Sequence, residues 1–65
     1  MQSIFEYRGR RLRAITVRRG GGWSSEFSVD GRPSQSLDYT MLDDESAALA
    51  EGEDRARKHV DLEYT

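Results

Sequence analysis

Apolar and polar residues alternate along the first half of the chain in a way that predicts three β-strands. The clearest run covers residues 23–29, where Trp23 and Phe27 fall on one face and polar residues occupy the other. Runs over residues 3–8 and 11–17 contain the aromatic and β-branched residues that strands favour. We therefore expect strands at about these three ranges.

The run over residues 11–17 leaves open which of its sides is buried. One face would carry Leu12 and Ala14, and the other would carry arginines together with Ile15 and Val17. Because both faces hold apolar side chains, alternation alone does not decide which of them packs on the core.

Glycines and one proline separate the predicted strands. Gly9 and the glycines at 20–22 are turn residues, and the Asp-Gly pair that ends at Gly31 is typical of a tight hairpin. Residues 36–40 form either a fourth, edge strand or a loop. Pro33 confines any strand there to an edge or to a start after that residue.

The second half predicts one long helix over residues 44–62. Asp43 or Asp44 provides an N-cap, and Gly52 is the residue within the range that resists helix. At 100° per residue, a narrow stripe of small and apolar side chains lies on one side, formed by Leu49, Gly52, Ala56 and Val60. We expect Gly52 to contact the sheet closely, under the ring of Trp23.

This element order predicts a single α+β domain over residues 1–65. The fold is a three-stranded or four-stranded antiparallel β-meander with one C-terminal helix packed on one face. One helix covers one side of such a sheet, so the opposite side is left open. If the arginine side of residues 11–17 faces outward, Ile15 and Val17 would be partly uncovered there, and they are candidates for a protein interface.

Charge is unevenly distributed along this chain of net charge −2. Residues 1–32 hold seven arginines against three acidic residues, whereas residues 33–65 hold three basic residues against nine acidic ones. The basic half could bind an anion, or the two halves could attract each other in the folded protein. There is no cysteine, no apolar run as long as a membrane span and no signal-peptide pattern at the start, so we expect a cytoplasmic protein with no membrane partner.

The sequence argues against an enzyme. The one histidine, His59, lies near the end of the predicted helix, where a cation interacts favourably with the helix dipole. No spacing of histidine or cysteine indicates a metal site, and the glycine-rich segment lacks the lysine of a phosphate-binding loop. We expect no catalytic residues, no metal and no cofactor.

Arginines cluster on the first predicted hairpin, and aromatic residues lie nearby in the sequence. Arg8, Arg11 and Arg13, with Trp23, could contact nucleic acid in the manner of β-ribbon proteins. The alternative is that these arginines are solvated or paired across strands, which the net negative charge favours.

Two resemblances accompany these residues. Tyr7-Arg8-Gly9, Gly21-Gly22-Trp23 and an alanine-rich acidic helix resemble short uncharacterised bacterial proteins with a ββ(β)α fold. Tyr7, Arg8, Gly9, Arg11 and Arg13, then Trp23, Glu26 and Phe27, then residues 44–48, resemble the AP2-type DNA-binding domain. That resemblance implies a three-stranded sheet backed by a helix, with DNA contacts from Arg8, Arg11, Arg13 and Trp23.

The hypothesis that combines these features is a small non-enzymatic binding or accessory module of unknown ligand. It would act through its sheet face on an unknown protein partner or as a homodimer, with Ile15 and Val17 at the interface. The alternative is a nucleic-acid-binding domain that uses the arginine-rich β-hairpin.

Overall fold

The computed structural model describes residues 1–33 and 41–63, and it has the predicted α+β fold. Within these two ranges four antiparallel strands follow one another in an open sheet, and one helix packs on it. The elements are β1 (Gln2–Tyr7), β2 (Arg10–Arg19), β3 (Gly22–Val29), β4 (Arg32–Pro33) and α1 (Glu45–Glu63). No helix in the described ranges is long and apolar enough to cross a membrane.

The fourth strand lies earlier in the chain than the range considered for it. Arg32 and Pro33 pair with the end of β3, and Pro33 occupies the edge position that a residue without an N–H can take. The range 36–40 lies outside the described residues. Leu42 then forms two backbone hydrogen bonds with Trp23, at 2.7 and 2.8 Å, and so brings the chain beside the start of β3 before the helix begins.

Tight two-residue turns set the register of the sheet. In the first turn Arg8 and Gly9 have φ of 52° and 77°, and in the third Asp30 and Gly31 have φ of 52° and 81°. Two successive left-handed residues are the mark of the type I′ turn, whose twist matches that of the flanking strands. Asp30 is suited to this position because its carboxylate also accepts hydrogen bonds, from Arg10 Nη1 and from the Arg11 backbone, each at 3.0 Å.

Pairing with the neighbouring strands decides which side of β2 is buried. Leu12 and Ala14 are fully buried under the helix, and Leu12 packs in the core with Phe27 and Val29. The residues between them point away from the helix. We call that side the open face; it carries Gln2, Ile4 and Glu6 of β1, Arg11, Arg13, Ile15, Val17 and Arg19 of β2, Ser24, Glu26 and Ser28 of β3, and Pro33.

The helix begins at the predicted cap and buries a slightly rotated stripe. Asp44 accepts from the backbone N–H of Ser46 through its side chain, at 3.4 Å, and from that of Ala48 through its carbonyl, at 3.1 Å. The buried residues, spaced by four, are Ala48, Gly52, Ala56 and Val60. The expectation for Leu49 was wrong, since Ala48 takes that place and Leu49 is half-buried.

Gly52 makes the expected close approach to the sheet, but its neighbour is not Trp23. A Cβ atom placed on Gly52 would lie 2.8 Å from the Cβ of Ser25 and 3.4 Å from the Cβ of Ala14. The small side chains of Ser25 and Ala14 therefore let the helix backbone lie directly on the middle of the sheet, while Trp23 lies nearer one end of β3.

Candidate binding surface

The helix side of the sheet is occupied by the helix and its polar contacts. Sheet hydroxyls donate to helix carboxylates near the start, middle and end of α1, and these bonds lie at the margins of the apolar core. They are Thr16 Oγ1 to Glu45 at 2.7 Å, Ser3 Oγ to Glu53 at 2.6 Å and Tyr7 Oη to Asp61 at 3.0 Å. This side therefore has little surface left for a ligand.

Glu45 lies where the first turn of the helix meets the sheet. The ammonium group of Met1 and then the hydroxyl of Thr16 bond to its carboxylate and lower its pKa. Both contacts favour the ionised form, so Glu45 stays charged while it holds the start of the helix.

Aliphatic and charged side chains alternate across the open face, where Ile4 lies opposite Arg13 and Ile15 lies opposite Glu26. Ile4 is 60% exposed, and Ile15 and Val17 are half-buried. A shallow concavity of about 520 Å³ lies over this region, and its lining includes Ile4, Arg11, Arg13, Ile15, Glu26 and Pro33. The predicted interface residue Ile15 thus lines a concave surface, and Val17 lies on the same face.

Two guanidinium groups on the open face have no carboxylate partner among the described residues. Arg11 and Arg13 alternate with Leu12 along β2 and are both exposed. Arg13 Nη2 donates to the side-chain oxygen of Gln2 at 2.8 Å, which leaves its charge uncompensated. Glu6 is the register partner of Arg11 but forms no ion pair with it, and Glu26, which lies opposite Ile15, is paired with Arg19 at 3.4 Å.

The structure separates the four residues predicted to contact nucleic acid. Arg11 and Arg13 share the open face, whereas Arg8 turns towards the helix and pairs with Asp61 at 2.9 Å. The hydroxyl of Tyr7 and then the charge of Asp61 raise the pKa of Arg8. Trp23 is on the helix side of β3, where the guanidinium of its register partner lies 5.5 Å from the ring centroid. The four side chains do not form one surface.

Arg10 and Arg18, which flank the cluster, also have partners. Arg10 pairs with Asp30 at 3.0 Å, and this hydrogen bond, followed by that from the Arg11 backbone, lowers the pKa of Asp30. Arg18 is the residue that stacks over Trp23. Most arginines of the hairpin thus contact acidic or aromatic side chains of the protein itself. Arg11 and Arg13 differ from them because neither forms an ion pair with a described carboxylate.

His59 and the acidic residues show no arrangement typical of a metal site in the described residues. The ring of His59 lies 5.5 Å from that of Phe27 at a tilt of 58°, so it packs beside the core. Within residues 1–33 and 41–63 no three histidine, aspartate or glutamate side chains come together as metal ligands would.

Sequence reasoning missed Ile4, which is the most exposed apolar side chain of the open face. Ile4 alternates with Phe5 and Tyr7 along β1, so the pattern already indicated that its side chain lies on the other face of the sheet. No family model, curated protein or solved structure matches the chain.

Proposed function

We propose that this chain is a non-enzymatic binding module, acting alone or as a homodimer, whose open face holds an acidic and partly apolar segment of another protein. The observation that carries the proposal is that Arg11 and Arg13 are exposed and form no ion pair with a described carboxylate, and that they lie beside the exposed Ile4. A ligand that supplies carboxylates and aliphatic side chains would satisfy both features of the face.

The electrostatics of the face favour an anionic partner even though the whole chain is acidic. The open face carries the guanidinium groups of Arg11, Arg13 and Arg19 against the carboxylates of Glu6 and Glu26, three positive charges against two, so its local excess of charge is positive. Guanidinium groups bind carboxylates through two parallel hydrogen bonds, which gives orientation as well as attraction. A complementary potential of this kind raises the association rate and excludes basic partners.

The aliphatic part of the face supports a protein segment over a small anion. Ile4, Ile15 and Pro33 line the same concavity as the two arginines. Ion pairs at an exposed site stabilise a complex only weakly. Burial of apolar surface contributes roughly 25 cal/mol per Å², so a partner that covers these side chains would add to the stability of the complex.

The test uses three synthetic ten-residue peptides in which glutamate alternates with leucine, lysine with leucine, or glutamate with serine. Amide chemical shifts of the ¹⁵N-labelled protein should move on the open face with the glutamate–leucine peptide. The glutamate–serine peptide should bind more weakly because it lacks the apolar contacts, and the lysine–leucine peptide should not bind.

The double variant Arg11→Gln/Arg13→Gln should weaken binding of the glutamate–leucine peptide at least tenfold. Lys58→Gln is the matched control, since it removes one exposed cation from the helix, far from the open face, and should leave the affinity unchanged. Equal binding of the lysine–leucine and glutamate–leucine peptides, or unchanged affinity of the double variant, would refute the proposal.

Nucleic-acid binding is the second candidate, and the same two exposed arginines favour it. Arg8 and Trp23 give it no support, because one is paired with a helix carboxylate and the other is on the opposite side of the sheet. Two phosphate contacts would give a salt dependence with a slope of only about −2 in log K against log salt. Fluorescence anisotropy with a labelled duplex at ~50 and ~200 mM salt separates the candidates: salt-sensitive binding lost in the double variant supports this one.

A further inference from the structure

The outer edge of β1 carries a row of backbone groups that no described residue pairs with. The backbone N–H of Thr16 donates to the carbonyl of Met1 at 2.9 Å. Hydrogen-bonded and non-hydrogen-bonded positions alternate along an antiparallel pair, so the odd-numbered residues of β1 bond to β2. The N–H and C=O groups of Gln2, Ile4 and Glu6 therefore point away from the sheet.

This edge lacks the features that usually prevent strands from adding to a sheet. Edge strands are commonly protected by lysine, proline, a bulge or a covering element. The six residues of β1 include no lysine or proline, and they pair with β2 in an unbroken register. Their one charged residue is Glu6, whose side chain lies on the open face. The helix packs chiefly on β2 and β3, and the Ser3 and Tyr7 side chains that reach it lie on the inner side. The edge is thus open to another strand.

The sequence of β1 is complementary to itself in one antiparallel register. With Ile4 on a two-fold axis, Ile4 lies opposite Ile4 of the second copy, and Gln2 lies opposite Glu6 of the second copy. All the outward-pointing residues then face one another, which allows about six hydrogen bonds between the chains. The Gln2 amide can donate to the Glu6 carboxylate, and no like charges are placed opposite each other.

We propose that two copies of this chain dimerise through antiparallel pairing of their β1 edges about Ile4. This deepens the homodimer form of the proposed function and rests on it, while involving the edge rather than the open face. Shifting the register by two residues in either direction leaves one outward-pointing residue of each chain unpaired. The centred register is therefore the one that uses the whole edge.

The pairing makes one continuous sheet with both helices on the same side. Ile4, 60% exposed in the single chain, packs against its counterpart, and the two open faces become a single surface. Arg13 is the register partner of Ile4 on each chain. The two Arg13 positions are then about three strand spacings apart, roughly 14 Å. That exceeds the Debye length of about 8 Å at physiological salt, so their repulsion is screened.

The first test measures the mass of the protein by sedimentation equilibrium from ~10 to ~500 µM. We expect a dimer that forms reversibly as concentration rises. Ile4→Pro removes an N–H that points outward and that β2 does not use, so it should abolish the dimer and leave the circular dichroism of the fold. Ile4→Val is the matched control and should dimerise like the wild type. If Ile4→Pro does not fold, Ile4→Lys, which places two ammonium groups on the axis, should weaken the dimer at least tenfold.

The second test reads the register through cysteines, which the natural chain does not contain. Ile4→Cys places two Cα atoms about 5.5 Å apart across the axis, within the range of a disulfide, so mild oxidation should link the chains. Gln2→Cys alone should not form a link, because its two copies lie more than ~10 Å apart. An equal mixture of Gln2→Cys and Glu6→Cys chains should link.

A wild-type chain that stays monomeric to ~500 µM, or equally efficient linking of Gln2→Cys and Ile4→Cys, would overturn the dimer. The result is independent of the peptide experiment. Arg11→Gln/Arg13→Gln should lose peptide binding and still dimerise, so the failure of one proposal leaves the other visible.

Discussion

The substitution Gly52→Ala tests how closely the helix lies on the sheet. A Cβ atom at this position would be 2.8 Å from the Cβ and 2.9 Å from the Oγ of Ser25. The hydroxyl can rotate away, but the Ser25 Cβ is fixed by the backbone of β3. The helix must therefore rise from the sheet by a few tenths of an ångström or more, which loosens the contacts of Ala56 and Val60 as well.

Two opposing effects determine the change in the free energy of unfolding. Replacing glycine by alanine in a helix interior is favourable by about 1 kcal/mol. Forcing an extra methyl group into a packed site costs about 1–3 kcal/mol. Because Gly52 is buried against β3, we expect the second effect to dominate and the variant to lose about 1 kcal/mol. For a domain of this size that corresponds to a fall in Tm of roughly 4–8 °C.

Urea denaturation followed by circular dichroism and by Trp23 fluorescence measures the effect. In the background of Ser25→Gly, where the opposing Cβ is absent, Gly52→Ala should become stabilising by about 0.5–1 kcal/mol. Ala50→Gly is the control for helix propensity, since Ala50 is exposed, and it should cost up to about 1 kcal/mol. If Gly52→Ala stabilises the otherwise wild-type chain by about 1 kcal/mol, the close approach of helix and sheet is wrong.

Three further predictions concern polar contacts. Tyr7→Phe should destabilise the fold by about 1 kcal/mol, and Asp61→Ala by slightly more because it also removes the exposed ion pair with Arg8. A double-mutant cycle of urea midpoints should show that the losses are not additive, because both variants remove the hydrogen bond between Tyr7 and Asp61. Asp44→Ala should lower stability by about 0.5–1 kcal/mol through loss of the N-cap, with additive losses if combined with Tyr7→Phe. The hydrogen bond from Arg10 lowers the pKa of Asp30 in the folded state. The contribution of this bond to the free energy of unfolding is therefore present above the pKa of about 4 in the unfolded state, and it is lost as the pH falls through the lower pKa of the folded state. The gap in urea midpoint between wild type and Asp30→Asn should therefore narrow from pH 7 to pH 3, and a gap independent of pH would contradict this.

Local pattern was sufficient where one side of an element was clearly apolar. The alternation around Phe27 placed β3 to within about a residue, and the acidic residue Asp44 placed the start of the helix. In β2 the pattern was not sufficient, because Ile15 competes with Leu12 for the core and only pairing with β1 and β3 decides between them. The rotation that buries Ala48 in place of Leu49 depends on how the helix lies across the sheet. Gly52 packs on Ser25 where the helix crosses the sheet, and this is a contact between residues far apart in the chain.

The candidate surface could also be predicted only in part from the sequence. Alternation within β2 puts Arg11 and Arg13 on one side together with Ile15, and the structure keeps them there. It gives no indication that Arg8 leaves the group, since its partner Asp61 is on the helix, 53 residues further along the chain. Pairing over such a distance depends on the whole fold. The sequence therefore shows how many arginines the hairpin has, but it does not show which of them pair with carboxylates elsewhere in the protein.

The uneven charge along the chain becomes an uneven charge across the folded domain. Arg8 pairs with a carboxylate of the acidic half, whereas Arg10 and Arg19 pair with acids of their own half. The helix acids at 45, 53 and 61 accept hydrogen bonds from sheet hydroxyls, so they are held on the helix side and do not compensate Arg11 and Arg13. A chain of net charge −2 thus presents a locally positive open face. Attraction between the two halves brings Arg8 to Asp61 on the helix, while Arg11 and Arg13 form no ion pair with a described carboxylate and lie exposed on the face that a partner can reach.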